Sequence, residues 1–224
     1  MRSIVISIGG SVLFSEKITE EFFKKLNQII QKQTNKYKIY LVIGGGKKAR
    51  QLINQGRKEG LPEEKLDEIG IKITRENAEI ISKKINNTNQ KIPTTINEAK
   101  TLDNKIIIMG GTTPGHSTDM VGAELAAKTN SEKFIIATNV DGVYDKDPNK
   151  HTDAKQIKEI TIKKLIADHG TEWGSAGKNV VIDGPALQVI KDNNITTYVL
   201  NGKKLDELEK ALNNQQFNGT KIKI

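Results

Sequence analysis

Short runs of aliphatic residues alternate along this chain with longer stretches in which apolar positions recur every three or four residues. The first kind, at residues 4–8, 39–43, 106–109, 134–137, 197–200 and 221–224, reads as strands, with a weaker candidate at 92–96. The second kind, at 19–32, 47–58, 62–85, 118–128, 162–168, 185–193 and 204–212, reads as helices. In the first of these Phe22, Phe23, Leu26, Ile29 and Ile30 form one stripe, the spacing of a helix face that packs on a core. The strands are continuously apolar, so both of their faces are predicted to be covered, as in a parallel sheet between layers of helices. No linker rich in Pro, Gly or Ser divides the 224 residues, and no internal repeat appears. The pattern predicts one α/β domain.

Several of these strands end alike. Ile8 precedes Gly9-Gly10-Ser11, Ile43 precedes Gly44-Gly45-Gly46, and Met109 precedes Gly110-Gly111, while Ala137 runs into Thr138-Asn139-Val140-Asp141-Gly142. In an open parallel sheet, ligands collect at the carboxyl ends of the strands. Glycine there lets backbone N–H groups approach an anion, and a following helix N-terminus adds partial positive charge. One such turn would be an ordinary connection. Repeated glycine runs, each closing a predicted strand, point to a large or divided polyanion. The usual nucleotide fingerprints are missing: GGGKKAR lacks P-loop spacing, and no G-x-G-x-x-G opens a helix after a strand. A donor nucleotide facing a phosphorylated acceptor fits the divided glycines. Phosphoryl transfer between them needs positioning and charge neutralisation from N–H groups, Lys, Arg and Mg²⁺.

Composition narrows the classes further. There is no cysteine, which excludes disulfides, thiolate catalysis and cysteine-based zinc sites. A formal net charge of +8 raises nucleic-acid binding as a possibility. The lysines are nevertheless scattered over nearly every predicted helix with acids among them, and only five Phe, four Tyr and one Trp are available to stack on bases. The expectation is a basic surface that attracts anionic metabolites, with no nucleic-acid partner. No apolar stretch approaches the ~20 residues of a membrane span, and no signal-peptide pattern precedes the first strand. A cytoplasmic protein with no membrane association is expected.

Four segments in order, SIGGS (7–11), VIGGGKKAR (42–50), GGTTPGHSTD (110–119) and ATNVDGVYDKDP (137–148), resemble the amino acid kinase family, and within it the archaeal-type uridylate branch. The resemblance spans essentially the whole chain. It implies a three-layer αβα sandwich around a largely parallel sheet, with the acceptor bound by about residues 1–130 and ATP by about 131–224. The activity it implies is transfer of the ATP γ-phosphoryl group to UMP, in pyrimidine nucleotide biosynthesis. Mg²⁺ would be bound through the ATP phosphates, with no dedicated metal site in the protein, and the assembly would be a homohexamer made as a trimer of dimers. By the same resemblance Gly9, Gly10, Ser11, Gly46, Arg50, Thr138, Asn139, Tyr144 and Asp147 contact ATP. Gly45, Asp67, Thr112, Thr113, Pro114, Gly115, His116, Ser117 and Thr118 surround UMP.

Plainer readings stand beside several of these. Asp147 holds a ribose or caps a turn, and Asp141 anchors a lysine or closes its turn. Asp119 falls in the first turn of a predicted helix, where an acid is favoured for capping alone. Lys48 is expected to be solvated. Trp173 lies in a glycine-rich segment near the donor, or simply packs. Leu66, Ile69, Ile73, Ile80 and Ile81 along the 62–85 helix face a subunit interface or the core.

Two positions depart from the family pattern. Many members carry a lysine on the first strand, two residues before its glycines; Ser7 stands there here. Lys47, directly after the triple glycine, is the replacement cation and hence the candidate catalytic residue. Where members acting on carboxylates tend to have a second lysine, this chain has Asp183, with Lys178 nearby. The alternatives are a related kinase for another small phosphate or acid, and a non-catalytic nucleotide- or oxyanion-binding oligomer.

Overall fold

A computed structural model describes residues 1–16, 18–172 and 181–224. In chain order its elements are β1 (Arg2–Ile8), α1 (Gly10–Leu13), α2 (Glu20–Gln33), β2 (Tyr37–Ile43), α3 (Gly46–Lys58), α4 (Glu63–Ser82), α5 (Ile96–Thr101), β3 (Ile106–Met109) and α6 (Thr118–Lys128). There follow β4 (Lys133–Thr138), β5 (Val143–Tyr144), β6 (Gln156–Ile157), β7 (Glu159–Thr161), α7 (Ile162–His169), α8 (Gly184–Asp192), β8 (Thr197–Asn201), α9 (Leu205–Leu212) and β9 (Gly219–Lys223). The main sheet runs β3-β2-β1-β4-β8-β9-β7, and every pairing is parallel except β8 with β9.

Alternation along β1 divides the interior into two layers. Ile4, Ile6 and Ile8 join one core with Leu26, Ile29 and Ile30 of α2 and Leu205 and Leu208 of α9. Val5 joins the other with Val121 and Leu125 of α6 and Leu187 and Ile190 of α8. Each side chain of this size contributes roughly 1.5–3 kcal/mol when fully buried, and two-sided burial of the strands is the main drive to this arrangement. It is the expected three-layer αβα sandwich. Ser7 shares the face of Val5 and is 1% exposed. A polar residue is therefore turned into the α6 layer at the strand's carboxyl end. A smaller cluster of Ala49, Ile53, Leu66 and Ile73 joins α3 to α4. Of the 62–85 apolar positions, Leu66, Ile73 and Ile81 are core, whereas Ile80 faces outward.

The weak strand expected at 92–96 is not formed. Thr95 instead caps α5, its Oγ1 accepting from the Glu98 N–H (3.1 Å), while the Glu98 carboxylate accepts from the Thr94 N–H (2.7 Å). Thr95-x-x-Glu98 is a variant of the capping box, so a helix start outweighs the β-propensity of Ile92 and Ile96. The short strands β5, β6 and β7 are additions to the elements expected. No helix among the described residues is long and apolar enough to cross a membrane.

Candidate active site at the carboxyl ends of the central strands

From β1 the sheet proceeds through β2 to β3 on one side, and from β4 to β8 on the other. The crevice outside the ends of β1 and β4 is thus a topological switch point, where this class of sheet binds ligands. There the Gly9 N–H donates to Ala137 O (2.9 Å) and the Gly44 N–H to Ile8 O (2.9 Å). The Gly9 N–H is therefore engaged by the sheet. Beyond these bonds the loops after β1 and β2 cross. A Cβ on Gly10 would lie 2.4 Å from Gly46 N and 2.5 Å from Gly44 O. Gly46 itself has φ +68°, and a Cβ on it would lie 2.7 Å from the Gly10 carbonyl carbon. These glycines first make room for each other. Their crossing brings the starts of α1 (Gly10, Ser11) and α3 (Gly46, Lys47) to one point.

Helix α4 fixes two of the loops around this point. Asn77 Nδ2 donates to Gly44 O (2.9 Å) and Gly45 O (3.2 Å). Thr74 Oγ1 accepts from the Gly111 N–H (2.7 Å). Arg75 donates to Gly111 O (3.0 Å) and Thr112 O (2.9 Å). Asp67 accepts from the Gly115 N–H (2.6 Å), so this residue does meet the loop expected to hold the acceptor. Sequence reasoning missed Thr74, Arg75 and Asn77. The available signal was a pair of polar residues, Thr74 and Asn77, on the buried face otherwise made by Ile73, Ala78 and Ile81.

Within the acceptor loop, Thr113 Oγ1 and His116 Nδ1 are 3.0 Å apart, and Thr112 and Pro114 line a groove of about 610 Å³ along α4. Lys48 is exposed but paired with Glu76 (2.8 Å), so it is more than a solvated cation. Lys47 is exposed and Arg50 half-buried, and neither has a hydrogen bond or ion pair among the described residues.

The α6 side of the crevice holds two carboxyl groups. Ser7 Oγ donates to Asp119 Oδ1 (2.7 Å). The cap of α6 is Ser117 and not Asp119: the Ser117 hydroxyl accepts from the N–H groups of Asp119 (3.1 Å) and Met120 (3.0 Å). It also donates to Asp183 Oδ2. Asp183 Oδ1 in turn caps α8, accepting from the Ala186 N–H (2.9 Å). Burial, reinforced by the neighbouring Asp183 charge, pushes the Asp119 carboxyl up to about 7, against the opposing pull of the Ser7 hydroxyl.

Because Asp119 holds its proton more tightly when folded, its contribution favours the native state at low pH and is lost as pH rises from about 4 through about 7. The loss is at most about 4 kcal/mol, and smaller because the half-buried group keeps some contact with water. Asp119→Asn keeps an oxygen for the Ser7 bond and cannot ionise. Urea unfolding should therefore show the wild type losing stability relative to this variant between pH 5 and pH 8. Parallel pH curves would exclude the shift.

On the other side of β4, Thr138, Asn139, Tyr144 and Asp147 line one cavity of about 240 Å³, closed by Leu165 of α7, by Leu187 of α8 and by Ile182, which precedes that helix. The four donor-side residues expected from the sequence are thus brought together, and the apolar wall is what sequence reasoning did not supply. Asp141 takes the lysine-anchoring role, bonded to Lys204 (2.9 Å) and Asn201 (2.9 Å). Burial opposes its charge, yet the ammonium and amide outweigh it and hold the carboxyl below the usual aspartate value. Asp147 closes a turn, accepting from the Asn149 N–H (2.9 Å), while still lining the cavity. Trp173 and Lys178 lie outside the described residues. Among the described residues no group of three or more His, Asp or Glu side chains could hold a metal ion.

A sequence model of the amino acid kinase family matches residues 2–201. The chain is 40% identical over 222 residues to a uridylate kinase from Methanobrevibacter smithii, covering 98% of each protein. A uridylate kinase from Archaeoglobus fulgidus is 40% identical over 203 residues, covering 89% of this chain and 90% of that one. The crystal structure of uridylate kinase from Archaeoglobus fulgidus matches with a TM-score of 0.83 at 37% identity, covering 98% of this chain and 99% of that chain. UMP kinase from Ureaplasma parvum, at 23% identity and a TM-score of 0.77 over 100% of this chain and 99% of that one, shares the fold.

Proposed function

Because the chain belongs to the amino acid kinase family, we propose that it is a uridylate kinase, transferring the γ-phosphoryl group of ATP to UMP in the cytoplasm for pyrimidine nucleotide biosynthesis. The observation that carries this is 40% identity to a uridylate kinase over 98% of both chains. An oxygen of the UMP phosphate forms a bond to the γ-phosphorus as the bond from that phosphorus to the bridging oxygen of ADP breaks. The acceptor phosphate is already ionised at neutral pH, so no protein base is required.

ATP lies in the cavity of Thr138, Asn139, Tyr144 and Asp147, with the tyrosine ring flanking the purine. Its phosphates reach towards the crossing, where Gly10, Ser11, Gly46 and Arg50 supply donors. UMP is held by Gly45, Asp67 and the loop of Thr112, Thr113, Pro114, Gly115, His116 and Thr118. Lys47 neutralises the group in transfer. Mg²⁺ accompanies ATP, held chiefly by phosphate oxygens and water, and supplies charge neutralisation. The protein assembles as a homohexamer, a trimer of dimers, which sedimentation at micromolar concentration tests; a monomer would overturn that part.

The decisive experiment measures coupled ADP release with a panel of acceptors. UMP should exceed CMP by about 10²-fold or more in efficiency, because the exocyclic amine of cytosine presents a donor where uracil presents an acceptor. Equal rates with both would sink the uridylate reading. A preference for another small phosphate would favour the related-kinase alternative, and ATP binding without turnover on any acceptor the non-catalytic one.

A further inference from the structure

We infer that Ser117 is a positioning residue that couples the two substrate sites, through its bond to Asp183, and does not touch UMP with its hydroxyl. The inference rests on the two-site reading above. A serine hydroxyl offers one donor and two lone pairs. In Ser117 all three are engaged: the lone pairs by the Asp119 and Met120 N–H groups and the proton by Asp183 Oδ2. Nothing is left for a nucleotide.

What the hydroxyl does instead follows from where its partners sit. Ser117 ends the acceptor loop and caps α6; Asp183 caps α8 and is 8% exposed. Immediately before Asp183 come Val181 and Ile182, and one turn into α8 comes Leu187, all three on the wall of the donor cavity. The start of α8 has little freedom to slide on its own, since a Cβ on Gly184 would lie 2.7 Å from the Thr171 carbonyl carbon. One bond, between residues 66 apart in sequence, therefore joins the end of the acceptor loop to the wall against which ATP packs.

Losing it would leave a buried carboxylate oxygen without its donor. A ligand that orders the acceptor loop holds Ser117, and with it Asp183 and the donor wall, in one arrangement. Each substrate then favours the same state and must strengthen the other by the same factor.

Calorimetric titration of the intact protein tests this, using a non-hydrolysable ATP analogue with and without saturating UMP. In the wild type UMP should tighten the analogue by about 5–20-fold, within the ordinary range of coupling between sites. Ser117→Ala should bring that ratio close to 1, and Ser117→Thr, which keeps the hydroxyl, should restore it. Asp183→Asn is the second variant. It retains an oxygen to cap α8 but turns a donor towards a hydroxyl whose lone pairs are occupied, and it should also lose the coupling. A merely structural cap would lower the melting temperature of these variants and leave the ratio unchanged, which would overturn the inference. So would a wild-type ratio of 1 with both ligands bound. Failure of UMP to bind the wild type at all would remove the uridylate reading, and the inference with it.

Discussion

Replacing Lys47 by alanine should lower turnover by about 10²–10³, an effect of the size seen when one transition-state donor is lost. Affinity for UMP and ATP should move far less, because the ground-state contacts remain. The crevice makes the need for a cation plain. The first-strand position often held by lysine in the family is Ser7, whose proton is donated to Asp119, and Asp183 lies beyond. The strand end is therefore locally acidic, unsuited to gathering phosphoryl oxygens without help.

Lys48 is tied to Glu76, while Lys47 is unpaired among the described residues and directly follows Gly46 at the crossing. Steady-state kinetics decide the matter, with Lys47→Arg retaining part of the rate through its charge. A turnover for Lys47→Ala within about threefold of wild type, too little for a lost transition-state contact, would transfer the role to Lys178 or Arg50.

Gly10→Ala should destabilise the fold by about 2–4 kcal/mol and lower turnover by about 10² or more. The added Cβ would lie 2.4 Å from Gly46 N and 2.7 Å from the Gly45 carbonyl carbon. Those are backbone atoms, so no side chain can swing away, and the two loops must part. The better helix propensity of alanine, about 1 kcal/mol, acts in the opposite sense and is smaller. Separating the loops moves the starts of α1 and α3 apart, and a displacement of about 1 Å is enough to spoil alignment of reacting groups. Gly9→Ala is the control for stability. Its Cβ would find nothing nearer than 3.6 Å, and its unfolding free energy should stay within about 0.5 kcal/mol of wild type. A Gly10→Ala protein as stable and active as wild type would mean that the loops do not touch in solution.

Central strands β1 to β4 were legible in the sequence because burial on both faces leaves an unbroken aliphatic run, a pattern that solvent-facing segments of this length do not produce. The helix at residues 96–101 was not, because two isoleucines near a proline imitate a strand when the Thr95-x-x-Glu98 signal is overlooked. Donor-side residues came together as expected from one contiguous motif, since Thr138 to Asp147 span a single loop and hairpin. The supports of the site were illegible for the opposite reason. Asp67 to Gly115, Thr74 to Gly111, Ser7 to Asp119 and Ser117 to Asp183 each join residues far apart in the chain, one to the backbone or side chain of another. No local periodicity encodes such bonds. What sequence does show is their raw material, polar residues such as Ser7, Thr74 and Asn77 where the pattern demands apolar ones.

The pairing of β1 with both β2 and β4 also sets a schedule for the nascent chain. Residues 2–8 can find β2 within about 35 residues, but their other flank waits for residues 133–138. At about 5–20 residues per second that delay is roughly 6–25 s, during which an apolar strand edge has no permanent neighbour. Long-range closure of this kind is slow and exposes the intermediate to aggregation. A fragment ending near residue 130 would therefore stay caught at that stage, holding the crossing of the β1 and β2 loops but lacking β4 and the donor-side residues that follow it.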